Sequence, residues 1–218
     1  MSLYLSITSV DTLPENLHEL HRLARALPFG AAETERLLAL GHLPSLKQGL
    51  AARQALVALL GAHALPAAPI LRSPSGKPYF DASPSLPFSL SHSHSLAVAL
   101  LGDVPHIPVG VDLEFLRPHS DVFAIANRFF TENERASFAR LGSTPDAFFR
   151  LWTKKEALAK RLGHGLLEKD IDTDIPCRLF RLSFGGEVAY LAVAADPLPD
   201  LLPILDLTKE LHYHELPN

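Results

Sequence analysis

The stretch SLAVALLGD, residues 95–103, is an apolar segment bounded by a polar link and an aspartate, and AYLAVAADP, residues 189–197, repeats its register. Period-two or wholly apolar runs of this length, closed by turn residues, read as strands that end a meander. Upstream of the first copy lie PILR, KPYF after the Ser75-Gly76 turn, and FSLSH, all strand-like. Leucines at helical spacing over 16–27 and 33–40, and an amphipathic pattern from about Leu50 to Leu65 ended by Pro66, predict helices before them. The second copy follows the same plan. A strand over Val109–Glu114 and helices over 122–142 and 146–162 precede CRLFRLSF, whose Gly185-Gly186 pair suits a tight hairpin turn. The fold expected is therefore α+β, in two similar halves that each pack helices on a small antiparallel sheet. Residues 1–105 form one half and 106–218 the other, with Pro105–Pro108 as the boundary. Ordinary strand composition is the alternative source of the repeated register. The N-terminal SLYLSITSV alternates Leu3, Leu5 and Ile7 as a short strand, and the final LTKELHYHELPN reads as a mobile tail with His212 and His214 in solvent.

Apolar residues make up 47% of the 218, enough for a real core. No run approaches the roughly 18 uncharged apolar residues that span a bilayer, and MSLYLSITSV lacks the basic start and cleavage site of a signal peptide. A cytosolic, monomeric protein without a membrane partner is expected. The single cysteine, Cys177, excludes an internal disulfide framework or a cysteine-rich zinc site and is a poor nucleophile candidate. A net charge of −4 argues against a nucleic-acid partner, so any phosphate binding must be local.

Three constellations carry chemistry. In GVDLE, strand alternation turns Val109, Val111 and Leu113 to the core and Gly110, Asp112 and Glu114 to the other face. The two carboxylates are then about 6.5 to 7 Å apart, within reach of one hard cation such as Mg²⁺, and Gly110 leaves room for a bulky ligand. A half-solvated strand with acids on its wet face explains the same pentapeptide. In LWTKKEALAKRLGHGL, residues 151–166, Leu151, Leu158 and Leu162 form a stripe that Trp152 extends as a packing residue. Lys155 falls inside this stripe and could snorkel, and Glu156 with Lys160 could be an ordinary i, i+4 pair. The Gly163-His164-Gly165 stretch reads as a glycine cap and turn. Taken together, Asp112, Glu114 and Glu156 could hold a cation, while Lys155 and Lys160 neutralise phosphate oxygens. In SGKPYF and FSLSHS, Gly76 permits close approach, Lys77 offers a charge, and Ser91 and His92 stand where a strand meets a turn. No G-x-S-x-G elbow supports serine hydrolysis, and no G-x-G-x-x-G or P-loop is present.

In chain order, SGKPYF, FSLSHS, GVDLEFLRP, RFFTENE and LWTKKEALAKRLGHGL resemble the 4′-phosphopantetheinyl transferases of the Sfp-type group. Their hallmark is a Gly-(Ile/Val)-Asp-x-Glu strand followed by Trp-(Ser/Thr)-x-Lys-Glu-(Ala/Ser)-x-x-Lys. Residues 110–114 and 152–160 match both, and the similarity runs from Arg53 to Leu166. The resemblance implies a pseudo-twofold molecule with coenzyme A in the cleft between its halves. It would transfer phosphopantetheine to a serine of an apo acyl or peptidyl carrier protein and release adenosine 3′,5′-bisphosphate. It implies Asp112, Glu114 and Glu156 as Mg²⁺ ligands, and Glu156 or a water on the metal as base. Lys160 would stabilise the leaving phosphate. Lys77, Ser91 and His92 would contact the nucleotide and its phosphates, Arg53 and Lys47 the 3′-phosphate, and Glu134 would add an acid near the site. Ser89 departs from the asparagine common in Phe-Asn-x-Ser-His-Ser, and His164 stands where relatives are often basic. A basic and apolar surface from Phe115 to Arg128, with Arg117 and Arg128, would receive an acidic carrier helix. The residues also suit a Mg²⁺-dependent phosphohydrolase or nuclease, or a non-catalytic module that binds coenzyme A and carrier protein.

Overall fold

The computed structural model describes residues 1–117, 121–163 and 176–217. Strand β1 (Leu3–Ser9) follows the expected alternation, sending Leu3, Leu5 and Ile7 into the central core. It is flanked by a strand on each edge and packed on its other face by a helix, so Ser6 and Thr8 are buried as well. Helices α1 (Leu17–Ala26), α2 (Gly30–Leu38) and α3 (Leu43–Ala62) follow. α3 begins at Leu43 rather than near Leu50. Pro44 sits in its first turn, where a missing amide is no loss. Gly49 lies inside the helix, where a side chain would be crowded: a Cβ there would come within 2.9 Å of Leu37 on α2. Then come β2 (Ile70–Arg72), β3 (Pro78–Phe80), β4 (Phe88–Ser93) and β5 (Leu96–Gly102).

The second half opens with β6 (Gly110–Phe115). The helix expected over 122–142 is two, α4 (Val122–Phe129) and α5 (Glu132–Arg140). Thr131 divides them: its hydroxyl accepts from the Glu134 amide while the Glu134 carboxylate accepts from the Thr131 amide, a reciprocal cap that starts a new helix. α6 (Pro145–Leu162) ends on Gly163 in the left-handed region at φ 75°, as the glycine cap predicts. β7 (Cys177–Phe184) and β8 (Glu187–Ala194) form the expected hairpin, with both turn glycines at positive φ. β9 (Ile204–Asp206) and β10 (His212–Leu216) complete the chain. The expected mobile tail is in part β10, paired antiparallel to β7 and fastened by Glu215 to Arg178. His212 and His214 are exposed. No helix among the described residues is long and apolar enough to cross a membrane.

The architecture is α+β. One four-stranded sheet has the order β4-β5-β1-β9, the other β10-β7-β8-β6. β9, from the C-terminal part of the chain, joins the first sheet parallel to β1, with Leu5 opposite Ile204. Apolar side chains from both sheets, among them Leu5, Val98, Val111, Leu113 and Leu191, share one core. α3 packs on the first sheet and α6 on the second, through further apolar clusters. Where the sheets meet, their edge strands β4 and β6 run in the same direction without joining one ladder. Instead the hydroxyls of Ser89, Ser91 and Ser93 accept from the amides of Val111, Leu113 and Phe115 at 3.1, 3.3 and 3.3 Å. The strand period of two places all three serines on one side, which makes this side-chain ladder possible.

Candidate active site

Alternation along β6 sends Gly110, Asp112 and Glu114 toward α6, as the sequence predicts. Gly110 does not open space for a ligand: a Cβ there would stand 2.0 Å from the carbonyl oxygen of Ala157 and 2.5 Å from the amide of Arg161. Helix α6 fills that space, lying directly on the strand. Lys160 is thereby held over Asp112, its Nζ 2.6 Å from Oδ1 and 2.8 Å from Ser91 Oγ. Ser91 donates to the same Asp112 oxygen at 2.9 Å, and Ser93 donates to Glu114 Oε2 at 2.9 Å. Residues of both halves therefore meet at one point.

Asp112 is 3% exposed, and its Oδ2 is buried without a hydrogen-bond partner. Burial holds its carboxyl above the usual range, against the pull of Lys160 and Ser91. Glu114 is raised by burial and then by the charge of Asp112. Glu156 is pushed up to about 7 by burial and by Asp112, with Lys160 opposing and Glu114 adding. Three carboxylates thus load one neighbourhood with negative charge that Lys160 and the more exposed Arg117 only partly offset. Among the described residues, no three acidic, histidine or cysteine side chains are gathered into a preformed metal cluster.

Beside this point lies a cleft of 590 Å³, walled by Arg36, Gly49, Arg53, Arg72, Ser91, His92 and Lys160 among others. At one end a buried carboxylate, Glu33, organises three guanidinium groups. It accepts from Arg36 at 3.0 and 2.9 Å and from Arg53 Nε at 2.8 Å, with Arg72 3.8 Å away. Burial pulls Arg53 down to about 10, against the attraction of Glu33. Three cations around one anion leave net positive charge facing the cleft. Burial, followed by the charges of Lys160 and Arg53, pulls the His92 ring down to about 4, so it is neutral here at pH 7.

The structure brings Arg53, Ser91, His92, Asp112, Glu114, Glu156 and Lys160 to this region and leaves four other expected residues engaged elsewhere. Lys155 is wholly enclosed and bonds both Glu134 oxygens at 3.1 and 2.9 Å, so it neither snorkels nor faces the cleft. Glu134 is correspondingly a cap and an ion-pair partner. Lys47 is buried against Glu15 and does not line the cleft. Lys77 lines the cleft, but its ammonium is turned to main-chain carbonyls. His164 lies outside the described residues. Arg36 and Arg72 were not singled out by sequence. Arg36 looks like half of a routine i, i+3 pair with Glu33 and Arg72 like an edge-strand base, and only the tertiary fold brings them together.

Residues 108–190 match the model of the 4′-phosphopantetheinyl transferase superfamily. The 4′-phosphopantetheinyl transferase AcpT of Salmonella typhimurium is 34% identical over 139 residues, which cover 62% of this chain and 71% of the relative. HetI of Nostoc sp., of the same name, is 42% identical over 99 residues, covering 42% of this chain and 40% of the relative. A 4′-phosphopantetheinyl transferase of Bacillus subtilis is 36% identical over 93 residues, covering 42% and 39%.

Proposed function

The chain belongs to the 4′-phosphopantetheinyl transferase superfamily and is an enzyme of that class, and from that premise we propose that it transfers the phosphopantetheine group of coenzyme A to a serine hydroxyl of an apo acyl or peptidyl carrier protein, releasing adenosine 3′,5′-bisphosphate. The observation that carries this is the meeting of Ser91, Asp112 and Lys160 between the two sheets, beside the arginine-walled cleft. The shared plan of the halves, a long helix on a four-stranded and mainly antiparallel sheet, supports a pseudo-twofold reading with the nucleotide in that cleft. Arg36, Arg53 and Arg72 supply charge for a phosphate, and Ser91 and His92 supply polar contacts along the cleft wall. Lys47 and Lys155, committed to Glu15 and Glu134, drop out of the ligand set.

The unpartnered Asp112 Oδ2 and the three carboxylates, all raised by burial, fit a hard divalent cation. Asp112, Glu114 and Glu156 would hold Mg²⁺, which supplies charge neutralisation at the pyrophosphate. In the transfer, the serine oxygen bonds to the phosphorus nearer the pantetheine, and that phosphorus loses its bridging oxygen to the bisphosphate. Glu156 would act as the base toward the serine proton. Lys160, already between the halves, stabilises charge on the departing phosphate. The surface beyond β6 suits an acidic carrier helix: Phe123 is 57% exposed, and Arg128 stacks 5.1 Å over Phe129. Arg128→Glu should raise the carrier KM and leave coenzyme A affinity unchanged, and a changed coenzyme A affinity would count against that surface.

Incubation with coenzyme A, Mg²⁺ and an apo carrier, followed by mass spectrometry, tests the transfer. A gain of about 340 Da on the carrier with release of adenosine bisphosphate is expected of this metal-assisted chemistry. Coenzyme A hydrolysed with no carrier gain across several carriers would instead favour a phosphohydrolase.

A further inference from the structure

The strand–turn segment that carries Lys77 precedes the joint between the sheets, yet its side chain crosses that joint. Nζ donates to the Arg161 carbonyl at 2.5 Å and to the Val109 carbonyl at 3.3 Å. Arg161 O belongs to the last turn of α6, where carbonyls lack helical partners and the helix end is negative. Val109 O is the residue leading into β6. One ammonium therefore caps the helix that carries Glu156 and Lys160 and pins it to the strand that carries Asp112 and Glu114. The stem is fitted as closely as the head: a Cβ on Gly163 would come within 3.3 Å of Lys77 Cδ and 3.4 Å of Ser75 Oγ. Gly163 thus takes a left-handed turn and leaves this side chain a close passage. A lysine spent on two carbonyls has little left for an anion. Burial and the nearby Arg161 charge, which lower its pKa to about 8, agree with an enclosed head.

We propose that Lys77 is a positioning residue, an interhalf strut that fixes the C-terminal end of α6 against β6, rather than a ligand of the nucleotide phosphates. It rests on the transferase reading only for its kinetic consequence. The strut sets the height of α6 over the strand, and with it the separation of Lys160 and Glu156 from Ser91 and Asp112. Loss of the ammonium loosens the last turn of α6 and spreads the catalytic groups while leaving the arginine end of the cleft intact.

Lys77→Met tests this, since it keeps the stem against Gly163 and removes only the charge. Affinity for adenosine 3′,5′-bisphosphate by calorimetry should change less than threefold and keep its salt dependence. In the same variant kcat at saturating coenzyme A should fall at least tenfold, and amide exchange in the last turn of α6 should speed up. Lys77→Ala and Gly163→Ala, with their double variant, should lower the melting temperature non-additively, because they disturb one contact. A rise of more than threefold in the bisphosphate Kd, or unchanged exchange in α6, overturns the strut. Absence of any carrier modification by the wild-type protein would instead sink the transferase reading, and the exchange and double-variant data would still decide the strut.

Discussion

Gly110→Ala puts a methyl group where α6 lies. The added carbon would stand 2.0 Å from Ala157 O, against an ordinary separation of about 3.5 Å, so the helix must retreat by roughly 1.5 Å. The nearest atoms are main chain on both sides, Ala157 O, Arg161 N and Arg161 Cα, so no side chain can swing aside to absorb the clash. Overpacking of this kind costs about 1 to 3 kcal/mol and more where backbone must move. For a chain of this length a cost near 3 kcal/mol lowers the melting temperature by roughly 6 to 12 °C. The functional effect should be larger than the stability effect. A retreat of this size would stretch the 2.6 Å contact of Lys160 with Asp112 to about 4 Å, and a misplacement of about 1 Å costs roughly 100-fold in rate. Differential scanning calorimetry and a carrier-modification time course measure the two effects. A variant with wild-type melting and wild-type transfer would show that α6 does not rest on β6 at this point.

Asp112→Asn should abolish transfer without unfolding the protein. Burial raises the Asp112 pKa in the fold, so its neutral form is favoured there and ionisation above the unfolded pKa of about 3.9 weighs against stability. Removing the charge should leave the melting temperature at pH 7 unchanged or higher, and a drop of more than about 5 °C would contradict that sign. Trp152 is half-buried, stacked 5.6 Å from Phe148 and edge-on to Phe129. Trp152→Ala should cost about 2 kcal/mol, below the 3 to 5 of a fully buried ring, and equilibrium denaturation with no shift in midpoint would refute the packing role. Cys177 is 5% exposed and its thiol is pushed up to about 11 by burial. Iodoacetamide at pH 8 should label the native protein at least about 100-fold more slowly than the unfolded chain, and equal rates would place the thiol at the surface.

What the sequence discloses is periodic. The alternation of GVDLE and the stripe through Leu151 and Leu158 place two acids on one strand face and Glu156 with Lys160 at a helix edge, because regular elements repeat their direction every 2 or 3.6 residues. What it hides is tertiary. Lys155 sits in the same stripe as a snorkelling lysine would, and only the approach of α5 with Glu134 decides that it is enclosed. Arg36, Arg53 and Arg72 come from two helices and a strand, and no local pattern announces that one carboxylate will gather them. Gly110 shows the same limit: a small residue beside two acids reads as room for a ligand or for a helix, and the packing partner settles which.

The serine ladder between β4 and β6 has a consequence for the state of the chain before folding is complete. Each of these strands is the margin of its own sheet, and a bare margin is a template on which other chains add strands and aggregate. Three hydroxyls cover the three amides of β6 that would otherwise face outward, and β6 in turn covers the side of β4. Each half therefore shields the other from intermolecular pairing, so a chain cut at the linker would present two adhesive surfaces where the intact molecule presents none at this seam.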